Sequence, residues 1–401
     1  MERVRLGVIG VGSVVREIYQ YLYFKSGYSD SIDVVAACDP DGEQLRWFAE
    51  LAGLEADRCF QSHQDMIAHC PLDVVAINTP DSLHRDPAVF SMEHGLDVLL
   101  PKPLASTVED AHAILDASRR TGRIVAVDFH KRSDPLTIEA RSRFAAGAYG
   151  RLQSAVWYMV DQLQVADPNH EPRFFASPSF AEANSPVSFL TVHMADTFFH
   201  ITGDAPKRVR ATGFKQKLPS LSPIAVDGYD LVDTEILTAR GCLCRIISGW
   251  AIPNTAHALT VQSARLIGSD GVLDLALDSL GYHEITHEAL QSRNTSFRTF
   301  GDRVGGFGIV NPGDLLARIA AAREDASARA ATRKSVSSPA GAGFWATAVC
   351  AAAHESLDRG EVVADGVVDG DFVDVNGFLT ERLGAEAEAY MSPAEPDRPA
   401  P

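Results

Sequence analysis

The sequence lacks any apolar run approaching the roughly 20 residues that a helix needs to cross a bilayer, although hydrophobic types make up 46% of its 401 residues. It also lacks a secretory beginning, because the segment from Met1 to Leu6 leads straight into a strand-like run without an apolar stretch and small residues. These absences argue against a membrane protein and predict a cytoplasmic one. A chain of this length can bury the cores of two domains.

Basic side chains are outnumbered, with 36 Lys and Arg against 53 Asp and Glu and a formal net charge of −17. Such a charge repels phosphate backbones, so no nucleic-acid partner is predicted. The six cysteines follow no zinc or disulfide spacing and are predicted to be free thiols. His283 and His287 could share a helix face, but no carboxylate pattern accompanies them, and no metal is predicted.

Short apolar runs alternate with helical patterns in the first third of the chain. The runs are Arg5–Gly10, Asp33–Cys38, Leu72–Ile77, Leu96–Leu100 and Gly122–Val127, and the clearest helix is Val108–Thr121. This alternation predicts a parallel sheet covered on both faces. The predicted fold class is therefore α/β, with an N-terminal Rossmann domain that binds a dinucleotide.

The turn after the first strand carries two glycines. Gly10 permits a tight turn, and Gly12 lets a pyrophosphate approach the backbone where a helix begins, at Ser13 and Val14. Val15 replaces the third glycine of the usual fingerprint, at a position that serves helix–strand packing rather than phosphate contact. These four residues, Gly10 to Val14 without Val11, are predicted to contact the cofactor.

Asp39 ends the second strand, where an acidic side chain accepts hydrogen bonds from a ribose diol. Its carboxylate would repel a 2′-phosphate, and no Lys or Arg follows it in the run Pro40-Asp41-Gly42. NAD rather than NADP is therefore the predicted cofactor.

Two strand-end segments carry a family resemblance. They are Asn78-Thr79-Pro80-Asp81-Ser82-Leu83-His84 and Pro101-Lys102-Pro103. They resemble the T-P-x-x-x-H and E-K-P motifs of the glucose–fructose oxidoreductase / inositol dehydrogenase / MocA family. The resemblance covers the first 150 residues and continues more loosely to a closing helix at Gly343–Leu357.

This resemblance implies a second α/β domain with a large, open, mostly antiparallel sheet that often forms the oligomer interface, so a homodimer or homotetramer is expected. It also implies further cofactor contacts from Asn78, Thr79, Pro80, His84, Pro101, Lys102 and Arg132. Arg132 and Pro135 match an R-x-x-P that resembles the family's linker. Pro101 replaces the glutamate of E-K-P and can offer only its carbonyl.

The family's second motif, D-x-G-x-H-x-x-D, resembles the stretch from Phe189 to Asp196. His193 and Asp196 match the motif, whereas Phe189 replaces its first aspartate and Thr191 its glycine. Because that aspartate often helps to bind the reacting hydroxyl in the family, the binding of this hydroxyl is expected to differ here.

Oxidation of a secondary alcohol needs a base for the hydroxyl proton and an acceptor held against the carbinol hydrogen. His193 is predicted to be the base in oxidation and the acid in reduction, because an unperturbed imidazole has a pKa of about 6.5. Lys102 lies at the carboxyl end of a strand, where open parallel sheets bind ligands. Its ammonium could hydrogen-bond the reacting oxygen and lower the pKa of a neighbouring imidazole.

The rest of the chain is predicted to form the substrate domain. A helix at Leu136–Ala146 is followed by strands at Leu152–Val160, Val209–Phe214, Leu231–Thr238, Cys244–Trp250, Ala258–Ile267 and Val272–Leu277. Predicted substrate contacts are Lys102, Tyr158, Asn184, His193, Asp196 and Trp250, with Asp161 and Asn254 as further candidates. The predicted domains are 1–130 and 131–390, with a disordered tail at 391–401 and a mobile loop at Arg323–Ser338.

These features predict an NAD-dependent dehydrogenase that transfers a hydride to or from a secondary hydroxyl or ketone carbon. The expected substrate is a sugar, glycoside, nucleotide sugar or aminocyclitol, with C3 as the expected position. Two alternatives remain. One is a catalytically inactive NAD- and sugar-binding sensor, which the changes at Phe189 and Pro101 favour. The other is a reductase of a non-carbohydrate ketone or imine, because a fold does not fix its substrate.

Overall fold

The computed structural model describes residues 3–175, 177–256, 258–277, 283–285, 290–292, 296–323 and 325–391. The strands are β1 Val4–Ile9, β2 Ile32–Cys38, β3 Cys59–Phe60, β4 Val74–Ile77, β5 Asp97–Pro101, β6 Val125–Asp128, β7 Leu152–Gln162, β8 Pro206–Phe214, β9 Leu231–Thr238, β10 Leu243–Ile252, β11 Thr260–Gly268, β12 Val272–Ala276, β13 His283–Ile285, β14 Leu290–Ser292, β15 Arg298–Phe300, β16 Arg303–Gly305, β17 Glu361–Ala364, β18 Val367–Asp369 and β19 Val373–Asp374.

The helices are α1 Gln20–Lys25, α2 Gly42–Ala52, α3 His63–His69, α4 Arg85–Glu93, α5 Val108–Thr121, α6 Pro135–Ala145, α7 Phe180–Ala183, α8 Val192–Thr202, α9 Phe307–Ala321, α10 Ala326–Val336, α11 Phe344–Arg359, α12 Val375–Leu383 and α13 Glu388–Met391. Two π-helical turns, Val15–Tyr19 and Val187–Thr191, lead directly into α1 and α8. Turns of this kind often occur at functional sites, and no sequence pattern predicted them.

The chain forms two compact units. The first is Met1–Asp134 with Ser296–Thr347, and the second is Pro135–Thr295 with Ala348–Pro401. The predicted boundary near residue 130 therefore lies close to the first crossing between the units. The prediction of one continuous domain from 131 to 390 is wrong, because a return segment joins the first unit.

The first unit contains a six-stranded parallel sheet in the order β3-β2-β1-β4-β5-β6. Its central strands are buried because both faces carry apolar side chains. In β4, Val74 and Ala76 lie on one face and Val75 and Ile77 on the other, and all four are buried. This arrangement confirms the predicted Rossmann domain. It also brings the carboxyl ends of β1, β4 and β5 to consecutive positions along one edge of the sheet.

The return segment is held to this sheet by charge pairs. Arg329 donates to both carboxylate oxygens of the buried Asp97, at 2.7 and 2.8 Å, and Arg323 donates to Asp73 at 2.6 Å. Asp325 caps α10 by accepting from the backbone amides of Ser327 and Ala328. The prediction of a mobile loop at 323–338 is therefore wrong over α10, which is a capped helix tied to the sheet.

The second unit contains a large mixed sheet in the order β12-β11-β7-β10-β9-β8-β18-β17, with β19 also paired to β8. Strands β7 and β10 are parallel, whereas the other paired neighbours are antiparallel. Helix α8 covers one face, where the Phe198 ring lies 6.4 Å from the ring of Trp157. The opposite face exposes apolar side chains, as the resemblance led us to expect for an open sheet.

No helix in the described ranges is long and apolar enough to cross a membrane. His283 lies in strand β13, so it does not share a helix face with His287, which is outside the described residues. The tail from residue 392 onward is also outside them.

Candidate active site

The glycine turn follows β1 in the first unit. Gly10 has a φ of +81°, and a Cβ placed there would lie 2.9 Å from the backbone of Asn78. Gly10 is therefore required both for its left-handed backbone and for close packing against the end of β4. Gly12 differs, because a Cβ placed on it would meet no atom of the described residues within 4 Å. The amides of Val15 and Arg16 donate to the Gly12 carbonyl, and the helix begins here.

Asp39 braces this turn from the end of β2. One carboxylate oxygen accepts from the backbone amide of Val11 at 2.8 Å, and the other accepts from the amide of Asp41 at 2.8 Å. Each carboxylate oxygen has a second lone pair for a further donor. The carboxylate therefore keeps hydrogen-bonding capacity for a ribose diol while it fixes the turn.

A cation that the sequence pattern did not predict lies near the same turn. The Arg16 guanidinium donates to Gln44 in the first turn of α2 at 2.9 Å and stacks over the Trp47 ring at 3.7 Å. The positive charge of Arg16 therefore lies close to the strand end that carries Asp39. The prediction of NAD relied on the absence of Lys and Arg just after Asp39. It did not include the positive charge of Arg16.

The end of β4 lies beside the glycine turn. The Asn78 side-chain amide donates to the Gly10 carbonyl at 3.4 Å, and the buried Thr79 hydroxyl has no hydrogen-bond partner among the described residues. Pro80 is exposed, as is Ser13, while Val14 is half-buried. The open space over Gly12, the unsatisfied Thr79 hydroxyl and the Asp39 carboxylate fit a dinucleotide whose pyrophosphate lies at the turn.

His84 was expected to contact the cofactor, but the structure gives it a different position. The side chain is 0% exposed, and its Nδ1 lies 3.1 Å from the Pro103 carbonyl while its Nε2 lies 3.2 Å from the Thr79 carbonyl. Burial lowers the pKa of this imidazole. His84 therefore joins the loop after β4 to the loop after β5, and we correct its role from cofactor contact to support of these loops.

Pro101 and Lys102 lie at the end of β5, next to the end of β6. Pro101 pairs with Asp128 across the two parallel strands. Both Pro101 and Lys102 are half-buried, and the following peptide bond to Pro103 is cis. Because the sheet places β1, β4 and β5 side by side, Lys102 lies at the same edge as the glycine turn.

Arg132 was also expected to contact the cofactor. Its guanidinium donates to the carbonyls of Gly341 at 2.6 Å and Ala340 at 3.0 Å. These contacts attach the linker to the return segment. Arg132 thus has a structural role in the linker, and its contact with the cofactor stays a prediction.

His130 and Lys131 follow β6 in a neighbourhood to which Lys131 and Lys102 bring positive charge. From the sequence, Lys131 could face an anionic substrate or the cofactor, or simply begin a helix. Lys131 is only 4% exposed, and its ammonium lies 6.0 Å from the Phe307 ring, on which the His130 ring stacks at 5.7 Å. Burial, with the positive charges of Lys131 and Lys102, lowers the pKa of His130 to about 3. His130 therefore stays neutral at neutral pH.

A buried polar network lies beneath this neighbourhood. Asp128 accepts from the Tyr19 hydroxyl at 2.9 Å and from the Asn311 amide at 2.7 Å, and Asn311 accepts from Ser133 at 3.0 Å. Burial raises the pKa of Asp128 to about 6, although both hydrogen bonds lower it. The network connects the helix after the glycine turn, the end of β6, the linker and α9.

In the second unit, the predicted catalytic histidine lies near the start of α8. Phe189, His193, Asp196 and His200 follow one another along one side of the helix, at spacings of four, three and four residues. Both His193 and Asp196 are buried. The far end of this stripe is fixed by Arg141 of α6, whose guanidinium lies 2.7 Å from Nδ1 of His200.

The adjacent sheet edge supplies further predicted substrate residues. The Thr191 hydroxyl lies 2.6 Å from that of Ser248, which ties the π-helical turn to β10. Trp250 follows on the same strand and is 1% exposed. Asp161 is buried at the end of β7, in the same alternating register as Trp157. Because β7 and β10 are parallel, Asp161 and Trp250 lie at the same edge of the sheet.

Two other predicted substrate residues differ from this arrangement. Tyr158 is 41% exposed and lies on the open face of the sheet, opposite to the face that α8 covers. The prediction that it shares a site with His193 is therefore wrong, since neighbours on a strand point to opposite faces. Asn184 precedes the π-helical turn, where its amide donates to the Phe180 carbonyl at 2.9 Å.

A cavity of about 430 Å³ opens among α3, α4 and α5 of the first unit. Its walls include His63, Arg85, Phe90, Asp116 and Arg120 and none of the predicted cofactor residues. In the described ranges, no group of three or more His, Cys, Asp or Glu side chains is arranged to hold a metal ion.

Residues 4–129 match the model of an oxidoreductase family with an NAD-binding Rossmann fold. The matched family model is that of the Gfo/Idh/MocA oxidoreductases, and the matched residues lie within the first unit. Among curated relatives, the D-glucoside 3-dehydrogenase of Escherichia coli strain K12 is 25% identical over 213 residues, or 53% of this chain and 58% of the relative. The inositol 2-dehydrogenase of Rubrobacter xylanophilus is 29% identical over 150 residues, or 37% of this chain and 42% of the relative. The chain thus spans about half the length of these relatives.

Solved structures with the same fold cover nearly the whole chain. An inositol dehydrogenase homologue from Azotobacter vinelandii, complexed with NADH and myo-inositol, has a TM-score of 0.71 at 20% identity and covers 93% of this chain and 98% of its own. The myo-inositol 2-dehydrogenase of Lactobacillus plantarum has a TM-score of 0.69 at 17% identity and covers 92% of this chain and 100% of its own. At these identities the likeness establishes the fold of both units.

Proposed function

We propose that this protein is an NAD-dependent oxidoreductase acting on a secondary hydroxyl or ketone carbon of a sugar, glycoside or cyclitol. One observation carries the proposal: the open glycine turn, the unsatisfied Thr79 hydroxyl and Lys102 lie along one edge of a parallel sheet. Ligands of open parallel sheets bind at this edge. The names of the curated relatives, D-glucoside 3-dehydrogenase and inositol 2-dehydrogenase, support the substrate class.

The residues that would hold NAD are those of the glycine turn and the adjoining strand ends. Backbone amides at Gly12 and Ser13 would receive the pyrophosphate at the helix N-terminus, and Asp39 would accept from the ribose diol. The Asp39 carboxylate supports a preference for NAD over NADP, which the nearby Arg16 would weaken. When bound, the nicotinamide supplies the hydride acceptor for oxidation or the hydride donor for reduction.

Lys102 and His193 would act on the substrate oxygen. We assign His193 as the base that takes the hydroxyl proton in oxidation and returns it in reduction. The Lys102 ammonium would donate a hydrogen bond to the same oxygen and stabilise the negative charge that develops on it. Asp196 and Asn184 would bind other hydroxyls of the ligand.

A homodimer or homotetramer is proposed from the open face of the second unit's sheet. Tyr158, Leu243, Ile267 and Val272 are each exposed there, and large apolar side chains exposed on one face of a sheet can form a protein interface. Light scattering coupled to size-exclusion chromatography would give the mass of the particle, and a monomer at micromolar concentration would contradict this proposal.

The function is tested by absorbance at 340 nm with NAD, or NADP in parallel, and a panel of cyclitols, hexoses and methyl glycosides. Turnover of at least one member is expected, with NAD preferred, and NMR of the product would show whether C3 of a sugar is oxidised. If the protein binds NAD but turns over no polyol, the sensor hypothesis replaces this one. If simple ketones or imines oxidise NADH in a parallel assay while no polyol reacts, the substrate class is wrong.

A further inference from the structure

Phe189 packs into a cluster of aromatic rings in the second unit. Its ring makes edge-to-face contacts with Phe175, at 5.7 Å and 88°, and with Phe180, at 5.2 Å and 86°. It also lies 5.7 Å from the Trp250 ring at a tilt of 45°. Phe175 and Phe180 stack at 3.9 Å. We call Phe175, Phe180, Phe189 and Trp250 the aromatic cluster.

The aromatic cluster has a buried base and an accessible rim. Trp250 is fully covered, whereas the three phenylalanines are half-buried. Phe174, 47% exposed, extends the rim by packing on Phe175 at 5.0 Å. The cavity beside Phe174, Phe175 and Phe180 measures only about 10 Å³, so a ligand would lie across the ring faces rather than inside a pocket.

The position of the cluster connects it to the proposed reacting centre. Phe189 lies one helical turn before His193 on the same side of the helix. In the resembling family motif this position is an aspartate, which accepts hydrogen bonds from a hydroxyl. An aromatic ring offers no such acceptor, and a hydroxyl pressed against it would lose its hydrogen bond to water without replacement. The ring instead favours apolar or aromatic groups and the C–H faces of sugars.

The polar groups next to the cluster indicate which part of a substrate would lie where. Asn184 and Ser185 follow Phe180 in the chain, and Asp161 lies at the sheet edge that also carries Trp250. An apolar surface bordered by amide, hydroxyl and carboxylate groups matches a ligand with one apolar and one polyhydroxylated part. A free inositol, which carries a hydroxyl on every ring carbon, does not have that division.

We propose that the aromatic cluster is a subsite for the apolar aglycone of a glycoside whose sugar part is the group oxidised or reduced. The proposal rests on the proposed function, because it locates the cluster relative to the reacting sugar. An aryl or long alkyl aglycone would gain most from these rings, since burial of apolar surface and offset or edge-to-face ring contacts both favour it.

The first test compares kcat/KM for phenyl and methyl β-D-glucopyranoside with NAD. We expect the phenyl glycoside to be preferred at least tenfold, mainly through a lower KM. In Phe180→Leu this ratio should fall to within about twofold, while Phe180→Tyr, which keeps the ring, should retain it. Phe372→Leu, the same change at an exposed ring outside the cluster, is the matched control and should leave the ratio unchanged.

A ratio near one in the wild-type protein, or a tenfold ratio that persists in Phe180→Leu, would overturn the subsite. Calorimetric titration of the NAD complex with both glycosides separates this failure from failure of the proposed function. Tighter binding of the phenyl glycoside without turnover would contradict the proposed reaction and support the subsite. Turnover of both glycosides at equal efficiency would support the reaction and reject the subsite, and binding of neither would also reject it.

Discussion

The two units build their candidate sites in different ways. In the first unit the site is made largely of backbone: a glycine turn, three neighbouring strand ends and carbonyls held by His84 and Arg132. In the second unit it is made of side chains, with His193 and Phe189 on one side of a helix and Asp161 and Trp250 at a sheet edge. Backbone geometry restricts which residues can be present, whereas a side-chain site can change its chemistry by one substitution. The first site is therefore suited to an invariant ligand and the second to a variable one.

The largest effect is expected from the side chain assigned to proton transfer. His193→Ala should lower kcat by about 10² to 10⁴, because loss of a general base has costs of that size. The affinity for NAD should not change, since the cofactor residues belong to the first unit. Steady-state kinetics and NAD titration measure the two quantities. His69→Ala, at an exposed position in the first unit, is the control, and equal turnover in His193→Ala would reject the assignment.

Two substitutions in the glycine turn test the backbone site of the first unit. Gly10→Ala should destabilise the protein by about 2 to 4 kcal/mol, because the new Cβ meets the Asn78 backbone at 2.9 Å and the φ of +81° is strained for alanine. Gly12→Ala should change the free energy of unfolding by less than about 0.5 kcal/mol. The same variant should bind NAD at least tenfold more weakly. Its added methyl group would occupy the open space in which the pyrophosphate is proposed to bind.

Urea unfolding and NAD titration of both variants check this pair. The backbone account of the first site would be contradicted if Gly12→Ala bound NAD as tightly as the wild type. It would also be contradicted if Gly10→Ala were as stable as the wild type.

The pH dependence of stability tests the buried cationic neighbourhood. The pKa of His130 is lowered to about 3 in the folded protein, against about 6.5 when unfolded. The neutral His130 is compatible with full stability above pH 6.5. As the pH falls toward 3, the free energy of unfolding decreases, because the unfolded chain binds a proton that the folded one does not. Between pH 7 and 4.5 the wild type should lose on the order of 2 kcal/mol more than His130→Phe.

Phenylalanine is chosen at this position because it can still stack on Phe307. Urea unfolding gives the free energy of unfolding of both proteins at the two pH values. The difference between the proteins removes the contribution of groups that titrate alike in both. Parallel pH profiles of the two proteins would show that His130 is not held neutral.

The smallest effect is expected at Asp39. Asp39→Ala should weaken the binding of NAD by about five- to tenfold, which is the effect of losing one or two hydrogen bonds. It should also reduce discrimination against NADP. Arg16→Ala in the same background should restore part of that discrimination, because it removes the cation near the turn. The ratio of Kd values for NAD and NADP is the measurement, and an unchanged ratio in Asp39→Ala would reject the ribose assignment.

The parts of the fold that could be predicted from the sequence are those with local causes. Apolar runs buried on both faces indicate parallel strands, and Gly10 is required by its own backbone conformation. Asp39 is recognisable because it ends a strand. For the same reason the predicted strands in both units agree with the structure to within a few residues.

The parts that could not be predicted depend on distant partners. Asp128 is held by Asn311, 183 residues away, and Asp97 by Arg329, 232 residues away, so neither the buried network nor the capped helix α10 is visible in local patterns. His84 and Arg132 were assigned by motif, and the pattern did not show that their side chains contact backbone carbonyls of other loops. Tyr158 was assigned by residue type, and only the alternation along its strand shows that it lies on the other face.

The most direct test of the central claim is a crystal structure of the protein with NAD and the substrate that the 340 nm panel identifies. The account predicts the pyrophosphate at Gly12, and one substrate oxygen within hydrogen-bond reach, about 2.6 to 3.2 Å, of both the Lys102 ammonium and the His193 ring. An NAD molecule bound away from the glycine turn would contradict the account. So would Lys102 and His193 contacting different parts of the ligand.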